Sequence, residues 1–307
     1  MSLHVVVGAG TIGSEVAQLL AGRGEQVRII TRRGGGPDHP AIERVAADAT
    51  DIARLTELTR GATALYNCAN PPYHRWPTDW PPLHAALLAA AEATGAVLAI
   101  TSNLYGYGPV SGPMTEDLPL ASTGRKGRVR ARMWLDALAA HEAGRIRATE
   151  ARASDYFGVG TASLLTDAVF TPLLAGRTAR VPAGLDVPHS FTYAPDMART
   201  LVTIAADERA WGRPWHVPTA PPSTMRQMAE AFARVAGLPA PRLGRIPRWM
   251  VRAAGVFVPT IRELDEVRYQ FNRPFVVDAT RATQTFGLTA TDTEEALRVT
   301  VKGMRSF

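Results

Sequence analysis

The 307-residue chain has a single cysteine, Cys68, so no intrachain disulfide can form and a reducing compartment, the cytoplasm, is expected. Lysine is almost missing. Of the 34 basic residues only Lys126 and Lys302 are lysines, and arginine carries the rest of the positive charge. No apolar run is long enough to cross a bilayer, and no basic segment leads into one, so neither a membrane span nor a signal peptide is expected. The chain has no internal repeat, no Gly-x-Ser-x-Gly nucleophile elbow, and no cluster of His, Cys, Asp and Glu that points to a metal. The formal charge of +6 suits an anionic ligand. Nucleic acid is not expected as a partner, because the arginines are not clustered with aromatics on a known binding module. The expected partner is a small molecule, and a homodimer is left open.

What is present is a rhythm. "HVVVGAG" reads as a buried strand, and "TIGSEVAQLLAGRG" follows with Ile12, Val16, Leu19 and Leu20 at helical spacing. "QVRIITRR", "IERVAADATD", "ALYNCANPP" and "VLAITSN" read as further strands, and "LHAALLAAAEATG" as an alanine-rich helix. Strand and helix in alternation predict a parallel sheet covered on both faces: an α/β fold of the Rossmann type, doubly wound. After about residue 155 prolines and glycines multiply and the rhythm loosens. The expected organisation is a dinucleotide-binding domain over residues 1–155, with 185–205 returning to it. Residues 156–184 and 206–307 then form a smaller, irregular C-terminal substrate lobe.

The first turn carries Gly8-x-Gly10-x-x-Gly13 between a strand and a helix. Gly8 permits the tight turn, Gly10 lets the backbone approach a pyrophosphate, and Gly13 lets the helix pack closely. The phosphates then sit at the helix N-terminus near Thr11 and Ile12, where free N–H groups and the dipole favour an anion. A site for NAD usually puts a carboxylate at the end of the second strand. Here that strand ends in Arg32 and Arg33, with no acid nearby. The planar guanidinium fork suits a 2′-phosphate, so NADP(H) is expected ahead of NAD. Two solvated arginines are the bland alternative. Asp48 and Ala49 end the third strand, where a carboxylate can reach the adenine amino group, and Asp51 is read as a helix N-cap. Ala69, Asn70 and Pro71 end the fourth strand and let backbone lie against a cofactor. Cys68 is read as a packed core residue.

The order of these motifs resembles the extended short-chain dehydrogenase/reductase superfamily, the group of nucleotide-sugar epimerases and dehydratases. "ITSNLYGYGP", "ARASDYFGVG" and "HSFTYAPDMARTLV" are similar to its later motifs, in the same order and spacing. Two departures stand out. Val7 occupies the place of the first glycine in the usual Gly-x-x-Gly-x-x-Gly. The family's Tyr-x-x-x-Lys pair is absent, since none of the seven tyrosines has a lysine four residues on. Matching the helix by its apolar pattern puts Gly127 near the tyrosine position and Ala131 near the lysine position. The chain therefore looks like an atypical member, whose proton must come from elsewhere.

Candidates for the chemistry follow. Thr101 or Ser102 matches the family's catalytic hydroxyl, with a strand-end cap as the alternative for each. Tyr105 and Tyr107 either replace the lost phenol or wall the pocket. Lys126 is the one lysine near the expected site and either assists catalysis or is solvated. Arg128 and Arg132 share a helix face and either neutralise an anionic substrate or cofactor phosphate or form a solvated basic surface. Trp76, Trp80, Tyr156, Phe157, His189 and Phe191 are expected to line an apolar, aromatic pocket, and His189 is either a proton donor or structural. The expected function is NADP(H)-dependent reduction of a carbonyl or activated double bond in a small, mostly apolar metabolite. The alternatives are an epimerase or dehydratase acting on a sugar nucleotide, and a non-catalytic dinucleotide sensor or scaffold.

Overall fold

A computed structural model describes residues 1–247, 249–251, 253 and 266–306. Its strands, in chain order, are β1 (Leu3–Val7), β2 (Gln26–Thr31), β3 (Ile42–Ala46), β4 (Ala62–Asn67), β5 (Val97–Asn103), β6 (Arg147–Ala153), β7 (Asp155–Phe157), β8 (Ala179–Val181), β9 (Phe191–Tyr193), β10 (Pro214–His216) and β11 (Leu243–Arg245). The helices are α1 (Thr11–Gly22), α2 (Ile52–Thr59), α3 (Trp76–Thr94), α4 (Arg125–Glu142), α5 (Thr171–Leu174), α6 (Ala194–Ala206), α7 (Met225–Val235), α8 (Thr280–Phe286) and α9 (Thr293–Arg305). Much of the segment "IPRWMVRAAGVFVP" lies outside the described residues.

The central sheet has seven strands in the order β10-β6-β5-β4-β1-β2-β3, and every pair is parallel. This is the expected doubly wound Rossmann-type fold. The reason lies in the strands. Val5 and Val7 of β1 pack with Leu55, Leu87 and Met133 from α2, α3 and α4 on one face. Val6, between them, packs with Val16 and Leu20 of α1 and Leu201 of α6 on the other. A strand buried on both sides has no polar face, and each such side chain contributes about 1.5–3 kcal/mol. The chain crosses back between β1 and β4, so the switch point opens a crevice at the carboxyl ends of those strands.

Two boundaries differ from expectation. Within 206–307, expected wholly in the lobe, β10 instead extends the main sheet by pairing with β6. The first turns of α3 also include the prolines expected to precede that helix. Pro81 and Pro82 lie inside α3, and Trp76 and Trp80 thereby share one buried helix face. The lobe has its own core, in which Phe170 of the π-helical turn before α5 stacks on Phe232 of α7 with ring centres 4.1 Å apart.

Candidate active site

The glycine turn joins β1 to α1. Gly8 adopts φ +100° and lies against the end of β4, where a Cβ would come within 2.7 Å of the Cys68 carbonyl oxygen. At Gly13 a Cβ would run into the Gly8 carbonyl. Gly10 is different, because a Cβ there would meet nothing within 4 Å. Two glycines thus fasten the turn, and the third leaves its backbone open to the groove. Helix α1 has no side-chain cap, so its first N–H groups are left for a ligand. This cradle fits a pyrophosphate. The Thr11 hydroxyl donates to the Gly160 carbonyl at 2.7 Å and ties the lobe to the cradle's edge.

A groove of about 530 Å³ leads from the cradle along the ends of β1, β2 and β3. Arg32 lines it, with Asp48, Ala49, Ala69, Asn70 and Pro71, whereas Arg33 does not. The Asp48 carboxylate already accepts from the Thr50 amide and hydroxyl, at 2.9 and 2.8 Å, which hold it below its ordinary pKa. Its neighbour Asp51 caps α2 by accepting from the Arg54 amide.

A second cleft, of about 420 Å³, opens on the other side of the cradle. Gly10, Cys68, Ala69 and Asn70 line both spaces, so one trough runs from Arg32 to the end of β5. Thr101, Ser102 and Tyr105 all face this cleft, with Trp76 and Tyr156. The Thr101 hydroxyl points to the Cys68 sulfur at 3.5 Å, and burial pushes the Cys68 thiol up to about 12, so the thiol stays protonated. Tyr105 accepts a 2.7 Å hydrogen bond from Tyr73, which leaves its own proton available for a ligand. Burial raises both phenols above their ordinary value.

Helix α4 corrects one of the two readings of Lys126. Lys126 is not solvated. It is 1% exposed, pairs with Glu266 at 3.3 Å and lies over the Tyr73 ring, 4.7 Å from its centre. It does not line the cleft. The position matched to the family's tyrosine, Gly127, is closed as well, since a Cβ there would collide with Ser122 and the Tyr105 carbonyl. The residue that does reach the cleft is Arg130, one turn beyond Lys126. Its guanidinium lies over the rings of Trp76 and Trp80, at 4.6 and 4.4 Å, in the corner that these nearly perpendicular rings make, and donates to the Thr101 carbonyl at 3.2 Å. Its Nε is buried without a partner. Burial lowers its pKa to about 10, with Glu150 opposing, so it stays charged at neutral pH. The sequence held the signal. Lys126, Arg130, Met133, Trp134 and Ala137 form one helical stripe, and all are buried. Arg128 and Arg132 are on the exposed face, as read.

The aromatic pocket is smaller than expected. Trp76 and Tyr156 face the cleft. Trp80 is wholly buried beneath Arg130. Tyr107 turns away and bonds to His216 and Arg152, at 2.8 Å each. Phe157 joins the core of the lobe. Phe191 and His189 sit behind the wall, with ring centres 4.6 Å apart. Polar groups take the vacated places: Arg130, Ser154, Asp155, Thr161, Ser163 and Gln270. The Ser154 and Tyr156 hydroxyls are buried and unpartnered, which a polar ligand would relieve. Sequence reading missed Tyr73, Arg130, Ser154 and Asp155. Tyr73 carried no signal, and Ser154 and Asp155 carried only their place just past the end of β6.

The sequence model of the NAD dependent epimerase/dehydratase family matches residues 4–217. The chain belongs to this family. Its membership agrees with the resemblance to the extended short-chain dehydrogenases/reductases. Among curated proteins none matches the chain. Similar solved structures include dTDP-glucose 4,6-dehydratase from Bacillus anthracis, in complex with NAD, at 16% identity and TM-score 0.81, covering 100% of this chain and 97% of that one. UDP-glucose 4-epimerase from Thermotoga maritima, with UDP-glucose, gives 16% identity and TM-score 0.81, covering 100% and 99%. UDP-glucuronic acid 4-epimerase from Bacillus cereus, with UDP-glucuronic acid and NAD, gives 17% identity and TM-score 0.78, covering 99% of each chain. At this identity the likeness establishes the fold. Among the described residues no helix is long and apolar enough to cross a membrane, and no group of His, Cys, Asp and Glu is placed to hold a metal.

Proposed function

We propose that the chain is a nicotinamide-dinucleotide-dependent enzyme that changes the oxidation level of a hydroxyl-bearing carbon in a polar, sugar-like substrate, in the manner of sugar-nucleotide epimerases and dehydratases. The observation that carries this reading is the continuous trough, whose substrate end holds buried polar atoms without partners. Such atoms call for hydroxyls, not hydrocarbon. The proposal replaces the mostly apolar metabolite expected from sequence.

The roles divide along the trough. Gly8, Gly10 and Gly13 shape the pyrophosphate cradle, and Thr11 and Ile12 open the helix above it. Asp48, Ala49, Ala69, Asn70 and Pro71 border the adenosine end. Nicotinamide, when bound, supplies hydride chemistry. Ser102 and Tyr105, with Thr101 beside them, orient the substrate oxygen by hydrogen bonds. The charge of Arg130 stabilises negative charge that develops on that oxygen. Its contacts with two tryptophan faces hold it in place before any substrate arrives.

A second reading rests on Arg32, which stands at the adenosine end where a carboxylate would favour NAD. It is NADP(H)-dependent reduction of a carbonyl. One experiment separates the readings. The purified protein is denatured and its released dinucleotide identified, and fresh protein is then offered UDP- and dTDP-hexoses. Retained dinucleotide with interconversion of a sugar nucleotide, and no net nicotinamide change, supports the first reading. Net consumption of NADPH with a carbonyl compound supports the second. Dinucleotide binding with no turnover of either class makes the chain a sensor and removes both.

A further inference from the structure

One hydrogen-bonded acid–imidazole pair, Asp155 and His189, reaches from the wall into the cleft. His189 is 2% exposed and lies just behind the wall. Its Nε2 is 2.8 Å from Oδ2 of Asp155, and its Nδ1 is 3.1 Å from the backbone carbonyl of Gln270. Both partners are acceptors. An imidazolium donates to each, whereas a neutral imidazole meets both only while Asp155 itself carries the proton. The ring is also caged by aromatics. Phe271 stacks on it at 5.0 Å and 6°, Phe275 at 5.2 Å and 24°, and Phe191 lies at 4.6 Å. Such faces favour a cation. Backbone hydrogen bonds to Ser223 in both directions fix the residue.

Asp155 brings this proton to the cleft. It lines the cleft, and its side chain is 20% exposed. The titratable groups that face it are the phenols of Tyr73, Tyr105, Tyr156 and Tyr269, every one raised by burial. None of them gives up a proton at neutral pH.

We propose that Asp155 and His189 form the proton store of the active site: Asp155 is the catalytic acid–base group that meets the substrate oxygen, and His189 is the positioning residue that supplies and takes back the proton. The inference rests on the redox reading above. In the protonating direction the Nε2–H bond of His189 breaks and an O–H bond forms on Oδ2 of Asp155. That O–H then breaks as the proton passes to the substrate alkoxide, which becomes the alcohol. His189 is left neutral with its Nδ1–H on Gln270, and Asp155 is again a carboxylate. The reverse sequence deprotonates an alcohol. Solvent recharges the pair through the exposed edge of Asp155.

The test has two arms on the full chain. In the first, nitrogen-15 NMR of the histidines, assigned with His189→Gln, reads the protonation of His189 without any substrate. The expected result is two N–H-type ring nitrogens at neutral pH, with one reverting in Asp155→Asn. One N–H-type and one bare nitrogen in the wild type overturns the proposal. In the second, turnover of UDP- and dTDP-hexoses is followed against pH. Asp155→Asn is expected to lose about 100-fold or more in turnover. Tyr105→Phe should keep the pH limb that Asp155→Asn abolishes. An Asp155→Asn variant that is folded and as fast as the wild type, with the same profile, overturns the proposal. If the wild type converts none of these substrates, the redox reading fails, and the NMR arm still decides the pair.

Discussion

Arg130 lies over Trp80, its guanidinium carbon 4.4 Å from the ring centre, and over Trp76 at 4.6 Å, in the corner where the two rings meet at 78°. A cation is thus held dry at the end of β5. Dryness strengthens the field that it would exert on a substrate oxygen and opposes its charge, hence the lowering to about 10. Glu150, the nearest acid, keeps its own partner in Arg152 at 2.8 Å. Replacing Arg130 by Met therefore leaves no acid unpaired. Arg130→Met should fold with stability unchanged or raised by about 1–3 kcal/mol. Its turnover should fall by about 100-fold or more, the scale of a lost transition-state charge contact. Urea unfolding and turnover on one preparation check both. A clear loss of stability would show that the arginine is a structural strut.

The sheet was legible because its strands are buried on both faces and its helices on one, and those two periods differ in sequence. The cradle was legible because a turn so tight admits only glycine. The substrate cleft was not. A pocket is an agreement between distant segments, and sequence shows residue types without their directions. Tyr107 and Phe157 have the chemistry of pocket walls but turn into cores, because partners such as His216 and Tyr193 are built far along the chain. Arg130 reads as one arginine among many until its turn of α4 is counted against Met133 and Ala137. Asp155 has no motif at all, and only His189, held just before β9 by isolated bridges to Ser223 and Phe275, gives it a partner.

Gly10 and Gly13 should separate binding from folding. A methyl at Gly10 enters open groove, so Gly10→Ala should keep its melting temperature within a few degrees and lose about tenfold or more in dinucleotide affinity. A methyl at Gly13 meets the Gly8 carbonyl and forces α1 away from the turn. Gly13→Ala should be destabilised by about 1–3 kcal/mol, as overpacked sites are. Thermal unfolding and titration calorimetry with NAD and NADP read the two effects. Equal affinity in Gly10→Ala and wild type would remove the pyrophosphate from this turn.

The two arginines after β2 should not behave alike. Arg32 lines the groove and Arg33 does not. If Arg32 holds a 2′-phosphate, Arg32→Ser loses a charged hydrogen bond of about 1.5–3 kcal/mol, roughly tenfold to a hundredfold in NADPH affinity. NADH affinity should be unchanged, and Arg33→Ser should alter neither. Tighter binding of NADH than NADPH by the wild type would end the case for NADP(H).

His84 makes the fold sensitive to acid. It lies on the buried side of α3, at the groove between α3 and α4. Burial lowers its pKa from 6.5 to about 4, against the pull of the Asp136 carboxylate. Above pH 6.5 the ring is neutral in both the folded and the unfolded chain, and its contribution is fully present. As pH falls from 6.5 towards 4 the unfolded chain takes up a proton that the folded chain refuses, so stability drops. A shift of this size corresponds to a loss on the order of 3 kcal/mol. His4 and His216 are lowered by burial too and act in the same direction. Unfolding free energy measured at steps between pH 7 and pH 4.5 should therefore decline, and His84→Leu should flatten that decline without abolishing it. An identical slope in the variant would mean that the ring is reached by water and charges freely in the native fold.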